Sequence, residues 1–515
     1  MNIVFVSSEA APFAKTGGLA DVCSALPVAL EKQGHHVSVF IPAYRQIYDA
    51  HLPIETTGIG YCVPVGKNEV WGEILRSTLP GSDVPVYFLR HDRYFFRDGL
   101  YNSGGVDYQD NCERFVFFCR SVFRAIELLN IPVDILHAND WQTGLVPAYL
   151  ATLYQNGRAI GTQTELFGSA LAPPQTPEKS GDRFWDKVRS VFTIHNMRHQ
   201  GRFMQQEMDL TGIDWKYFTF DKMEFYGQLN LLKTGITFSD AITTVSPEYS
   251  KEIQTDDFGE SLQGVLRYRS ESIWGILNGI DTAEWNPETD SNLAAPYNAE
   301  TVFEKKPLCK AALQRECGLP ESADTPLFGA VSRFDWQKGL DLVADVIPHF
   351  VESRGAQFVI LGTGDPQLEN RFVELAARYP KNVAALIKFS GALSHRVEAG
   401  LDVFLMPSRY EPCGLNQMYS QRYGTLPLVR HTGGLADTVI GASDETIANG
   451  TANGFMSYWG TADDLQKTVE WAVHCYDQRK DAWRQMVLTA MALDHSWTKS
   501  ARLYSDLYER IQMLG

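Results

Sequence analysis

Apolar residues gather along the chain in short runs that end in polar residues. "NIVFVSS" (2–8) leads into a Gly-containing segment, a helix-like run from about Ala20 to Gln33 and, past Gly34, "HHVSVFIP" (35–42). That is a strand–helix–strand unit. "VPVYFLR" (84–90), "VDILHAND" (133–140), "SVFTIHN" (190–196) and "AITTVSP" (241–247) predict further buried strands. The plan recurs in "PLFGAVSR" (326–333), "AQFVILGTG" (356–364), "AALIKFSG" (384–391), "LDVFLMPSR" (401–409) and "LPLVRHTGG" (426–434). Near-continuous apolar strands alternating with helical stretches predict α/β architecture with parallel, doubly wound sheets.

A strand gives way to a Pro- and Asp-rich stretch at "WGILNGIDTAEWNPETD" (274–290). The chain has 515 residues, and one core rarely grows past ~250–300 residues. The expected domains are therefore 1–273 and 274–493, followed by an amphipathic helical run at the C-terminus. "NGRAIGTQTELFGSALAPPQTPEKSGDR" (156–183) is rich in Gly, Pro, Ser and Thr and reads as a surface insertion in the first domain.

Composition narrows the partners. The net charge of −16 disfavours nucleic acid and anionic membrane. No stretch approaches the ~18–20 apolar residues of a membrane span, and the N-terminus lacks a signal-peptide pattern. Eight cysteines without a C-x-x-C pair read as reduced core thiols. These observations predict a cytoplasmic α/β enzyme.

Polar residues collect at predicted strand ends: His137 and Asp140, His195 and Asn196, Arg333, Arg409 and Glu411. Ligands of open α/β sheets bind there. Thr16-Gly17-Gly18-Leu19-Ala20-Asp21 recurs letter for letter as Thr432-Gly433-Gly434-Leu435-Ala436-Asp437. Each copy is expected to follow a strand and open a helix, where paired glycines let backbone approach an anion; a tight turn with no ligand explains one copy alone equally well. In "VSRFDWQKGLD", Arg333 and Lys338 could neutralise a diphosphate, although solvated surface cations are the commoner fate. In "PSRYEPCGLNQMYS", Glu411 sits in a loop restricted by Pro412 and Gly414, able to hold sugar hydroxyls or favoured simply by a helix N-terminus. "LGTGDPQ" has Gln367 at the third glycine position of a dinucleotide fingerprint; no P-loop and no H-E-x-x-H occur, and His and Cys spacing suggests no metal.

Taken with "HANDW", "HNMRHQG", "EFYGQLNLLKTGI", "NGIDTAEWNP" and "HSWTKSARLY", these motifs resemble the bacterial glycogen synthase and starch synthase family of retaining glucosyltransferases, from Met1 to the C-terminal helix. The resemblance implies a GT-B fold: two Rossmann-like domains facing an interdomain cleft, with a C-terminal helix (494–515) crossing back to the first. It implies glucose transfer from ADP-glucose to the non-reducing end of an α-1,4-glucan (glycogen, starch or maltooligosaccharides), without metal or pyridoxal phosphate. By motif match, Lys15 and Gly18 contact the donor phosphates, and Asp21 lies near the donor glucose. His195 holds the 6-hydroxyl region. Arg333 and Lys338 stabilise the ADP leaving group. Glu411 binds the transferred glucose with the backbone of Cys413, Gly414 and Leu415. Thr432 and Gly433 meet the phosphates, and Phe389 stacks on adenine. Asp140 and Asn278 line the glucose and acceptor side.

Departures stand beside the matches. Related retaining transferases often carry a second Glu eight positions after the first, where this chain has Tyr419. "HNMRHQG" replaces the commoner "HNLAYQG", which with the insertion bears on acceptor preference. The alternatives are a phosphorylase, which needs pyridoxal phosphate; use of UDP-glucose; and a glucan-binding or initiation-type homologue. The expected cytoplasmic location includes association with glucan granules.

Overall fold

A computed structural model describes residues 1–49, 52–155 and 184–513. The expected insertion at 156–183 lies outside the described residues. The chain forms two compact units. One comprises Met1–Val245, Ser250–Ile276 and the residues from Ser500 on; the other comprises Ser246–Tyr249 and Leu277–Lys499.

The first unit is built on a nine-stranded sheet. Its order is Ile273–Gly275, Ala241–Thr244, Arg189–Ile194, Ile135–Asn139, Asn2–Val6, His36–Pro42, Pro85–Arg90, Asn68–Thr78 and Glu55–Val65. The first seven run parallel, as the apolar runs predict. The last two add an antiparallel hairpin at one edge, so the sheet is mixed. Sequence reading misses this hairpin because Glu55–Val65 mixes exposed, half-buried and buried positions and lacks a continuous apolar run. From Asn2–Val6 the chain moves one way to His36–Pro42 and later returns on the other side at Ile135–Asn139. The C-terminal ends of Asn2–Val6 and Ile135–Asn139 therefore mark the switch point, the place where open α/β sheets bind their ligands.

Helix Trp497–Met513 joins this unit from Ser500 on. Tyr508 Oη lies 2.7 Å from His137 Nδ1 in the middle of the sheet. His137 Nε2 meets Thr193 Oγ1 at 2.6 Å, and burial pushes the imidazole down to about 3. Gln512 Nε2 donates to Asp134 O at 2.6 Å, anchoring the helix end.

The second unit has a six-stranded, fully parallel sheet. Its order is Val383–Ile387, Gln357–Gly362, Leu327–Val331, Val403–Met406, Leu426–Arg430 and Phe455–Ser457. Phe328, Phe358, Ile347, Phe350 and Leu428 form part of the core between sheet and helices. The switch point falls between Leu327–Val331 and Val403–Met406, which pair directly although Val331 and Val403 are 72 positions apart in the chain.

Candidate functional site

In the first unit, an eleven-residue loop (7–17) links strand Asn2–Val6 to helix Gly18–Glu31. The first TGGLAD copy therefore does not follow its strand directly. Ala10 N donates to Ala14 O at 3.1 Å and Ala14 N to Ala10 O at 3.0 Å, closing the loop on itself. Buried Glu9 fixes its exit: its carboxylate accepts from Thr16 N and Thr16 Oγ1, both at 2.6 Å, and from Tyr101 Oη at 2.6 Å. Lys15 and the helix start are left exposed. Lys15 Nζ lies 2.6 Å from Asp21 Oδ1, bringing two predicted site residues together. A Cβ added at Gly17 or Gly18 would meet nothing within 4 Å. Sequence reading passes over Glu9; its role shows only once Thr16 folds back onto it. Glu9→Gln places an amide where donors converge, and charged hydrogen bonds contribute about 1.5–3 kcal/mol each. The expected result is a rise of about tenfold or more in the donor KM with unchanged circular dichroism; a parental KM would remove Glu9 from the site.

The other side of this switch point carries Asp140 and His195. Asp140 follows strand Ile135–Asn139 with φ 57° and ψ 179°, a strained backbone region that residues other than glycine rarely adopt. Its Oδ1 accepts from His195 N at 2.8 Å. Burial raises the carboxyl to about 7. His195 Nε2 lies 3.0 Å from Asn139 Oδ1. Asn139 Nδ2 donates to Val6 O and His137 O, so Oδ1 must accept and His195 Nε2 carries the proton. Burial pushes His195 down to about 3, leaving a neutral ring with Nδ1 as its acceptor.

The raised carboxyl gives a pH signature. Asp140 holds its proton more tightly folded than unfolded, so its contribution to stability falls as pH rises from about 4 through about 7. Asp140→Asn is expected to gain on the parent by several degrees in Tm between pH 5 and pH 8. A gap that stays constant with pH would contradict the assignment.

In the second unit, the loops following the two switch strands are tied together. Lys338 Nζ lies 2.7 Å from Glu411 Oε2, and Ser408 Oγ donates to the same oxygen at 2.9 Å. The Lys338 and Glu411 side chains are only 19% and 7% exposed. Asp335 caps the turn before Lys338, accepting from Lys338 N at 3.1 Å. Arg409, at a predicted ligand-facing strand end, instead forks onto Asp341 at 2.8 and 2.6 Å and fastens the two loops. Arg333 remains largely exposed, 3.5 Å from Asp335.

The second TGGLAD copy sits under the Glu411 loop. Gly434 N donates to Glu411 O at 3.1 Å and to Pro412 O at 3.3 Å. Gly433 has φ +44°, and a Cβ there would fall 1.9 Å from Glu411 O. At Gly434 a Cβ would fall 2.1 Å from Cys413 O. The helix opened by this copy, Gly433–Thr438, has six residues. It is too short to give the helix-terminus field expected from the sequence; its glycines hold the backbone of the Glu411 loop in place. Thr432 is fully buried beside it.

Cys413 is buried and its thiol is pushed up to about 12, so it is a neutral packing group. Gly414 takes φ +71° and Leu415 stands at the start of helix Asn416–Arg422. Asn278 is buried, and its Oδ1 has no hydrogen-bond partner among the described residues. Phe389 is 94% exposed after strand Val383–Ile387. Tyr419 stacks on Trp285 at 3.8 Å, and His395 also stacks on Trp285, at 3.9 Å. Among the described residues, no three His, Cys, Asp or Glu side chains are grouped as metal ligands, and no helix is long and apolar enough to cross a membrane.

Residues 2–166 and 168–268 match the starch synthase catalytic domain family, and residues 318–485 match group 1 glycosyl transferases. A glycogen synthase of Rhodopirellula baltica is 42% identical over 520 residues, covering 99% of this chain and 98% of that protein. A glycogen synthase of Thermotoga maritima is 42% identical over 518 residues, covering 99% of each. The catalytic domain of Starch Synthase IV from Arabidopsis thaliana, solved bound to ADP and acarbose, superposes with a TM-score of 0.86 at 32% identity and 99% coverage of both chains.

Proposed function

We propose that this chain, which belongs to the glycogen synthase and starch synthase family of glycosyltransferases, transfers glucose from ADP-glucose to the non-reducing end of an α-1,4-glucan with retention of configuration. The observation that carries the reading is the Lys338–Glu411 pair at the second unit's switch point. It sets a fixed cation beside a fixed carboxylate, the two charges that glycosyl–diphosphate cleavage requires. The ADP and the glucan-like acarbose named for the Arabidopsis neighbour support the same substrate pair.

Cleavage of the C1–O bond builds negative charge on ADP and oxocarbenium character on the sugar. Lys338 and Arg333 meet the leaving diphosphate, with Lys15 and the N–H groups at Gly18 as further donors. Glu411 holds the glucosyl group, with the backbone at Cys413, Gly414 and Leu415. Thr432 and Gly433 support the phosphates, and Phe389 stacks on adenine. Asn278 Oδ1 and His195 Nδ1 accept from sugar hydroxyls, while Asp21 and Asp140 border the sugar and acceptor. Such preorganised charges act most strongly where water is excluded. We favour front-face attack: the acceptor 4-hydroxyl oxygen bonds to C1 as the phosphate oxygen leaves, and the hydroxyl proton passes to that phosphate oxygen. Tyr419, stacked on Trp285, offers no second carboxylate at its position. No metal or other cofactor is assigned a role. A cytoplasmic place of action, with access to glucan granules, fits these substrates.

The test is ADP release with glycogen or maltoheptaose as acceptor and ADP-glucose or UDP-glucose as donor. ADP-glucose-dependent chain growth is expected. Glucan binding with no nucleotide release from either donor would overturn the reading in favour of a non-catalytic glucan binder.

A further inference from the structure

Two large rings project from the segment between Trp215 and Asn230. Phe220 is 82% exposed and Tyr226 is 81% exposed. Tyr226 is also held in an unusual backbone conformation. It has φ +50° and Gly227 has φ +77°, in the turn between strands Glu224–Phe225 and Gln228–Asn230. A hairpin turn with two left-handed central residues prefers Asn, Asp or Gly at the first of them. An aromatic residue there carries backbone strain, and strain of this kind is enforced by its surroundings and clusters at ligand-binding sites.

The backbone beneath the rings is fixed. Lys233 is buried, and its ammonium donates to the carbonyl oxygens of Phe220 and, at 2.5 Å, Glu224. Gly227 N donates to Glu224 Oε1 at 2.6 Å, tightening the turn. Strand Gln228–Asn230 pairs with Arg202–Met204, which continues directly from the His195–Gly201 segment. Asn230 Nδ2 donates to Gln200 Oε1 at 2.8 Å, a second tie to that segment. The rings thus stand on an extension of the loop that carries His195.

We propose that Phe220 and Tyr226 form a stacking platform for an α-1,4-glucan chain, engaging glucose units beyond the one that reacts. The proposal rests on the glucosyltransferase reading above. A pyranose presents C–H faces that pack against an aromatic ring and an edge of hydroxyls that stays in water or bonds to polar neighbours. The neighbours here suit that partner: Asp221, Gly227 and Gln228 are exposed around the rings. A protein-docking surface would instead call for a contiguous apolar patch.

Phe220→Ala and Tyr226→Asn test the platform; Asn fits the left-handed turn, so the second variant keeps the fold. Affinity for glycogen, measured by electrophoresis in glycogen-containing gels, is expected to fall about 2–10-fold in each variant. The ADP-glucose KM and turnover with saturating maltotriose should stay at parental values, because a short acceptor does not reach the platform. Unchanged glycogen affinity in both folded variants overturns the proposal. So does a loss of self-association on sedimentation with glycogen affinity intact, which assigns the rings to a second copy. If the parent itself neither binds glycogen nor releases ADP, the functional reading falls and takes the platform with it. An active parent with unaltered variants removes the platform alone.

Discussion

Lys338→Ala is expected to lower turnover about 10²–10³-fold, the usual cost of removing one preorganised donor from a developing negative charge. It also strands Glu411. With one partner gone, an almost buried carboxylate is left with Ser408 as its remaining side-chain partner. Breaking such a pair destabilises by roughly 3–5 kcal/mol. The two effects are separable. Lys338→Ala combined with Glu411→Gln removes the uncompensated charge and should recover most of the lost Tm, while turnover stays low. Steady-state kinetics and thermal unfolding of the parent, both single variants and the double variant close the cycle. Recovery of activity together with stability would show that Lys338 serves only to neutralise Glu411, and its role at the diphosphate would be withdrawn.

Gly433→Ala should be the most damaging single methyl in the second unit's site. The new Cβ would sit 1.9 Å from Glu411 O, and the backbone there is left-handed. Overpacking and φ strain together cost about 3 kcal/mol or more, which lowers Tm by roughly 6–12 °C for a unit of this size. Because the clash is with the carbonyl of Glu411, the carboxylate shifts with it and turnover should fall as well. Gly18→Ala is the matched control. Nothing lies within 4 Å of its Cβ, so Tm should hold. The ADP-glucose KM should rise if backbone approaches phosphate there. Equal Tm losses in both variants would mean that the two repeats are used alike.

That contrast could not be read from the letters. The six-residue repeat is identical in sequence, yet its glycines face open space in one copy and carbonyls of the Glu411 loop in the other. Which case holds depends on what the rest of the fold lays against each turn. Most strands were legible, because a strand covered on both faces has to be apolar throughout. The edge hairpin Glu55–Thr78 was not, since half its surface faces water. Strand Phe455–Ser457 is three residues long and too short for any pattern to show.

The site divides in the same way. Glu411, Lys338 and Arg333 stood out as residue types at strand ends. The meeting of Lys338 with Glu411, 73 positions apart, follows from strand order, which local pattern does not encode. Glu9 and Asn139 gave no signal: each acts through a neighbour, Thr16 in one case and His195 in the other. Lys15 differs from its counterpart His431, which stacks on Tyr458 at 5.5 Å. The sequence difference between the copies thus matches a difference in use: one position presents a cation beside Asp21, the other an aromatic ring packed on its neighbour.

The bond between His137 and Tyr508 spans 371 positions. Synthesis proceeds at ~5–20 residues per second, so roughly 20–75 s separate the appearance of the two residues on the ribosome. During that interval the central strand of the first unit lacks its last covering helix, with a histidine, a threonine and their apolar surroundings uncovered. The N-terminal half of this chain is thus made first and finished last. A nascent chain halted before Ser500 should need a chaperone that one released at full length does not.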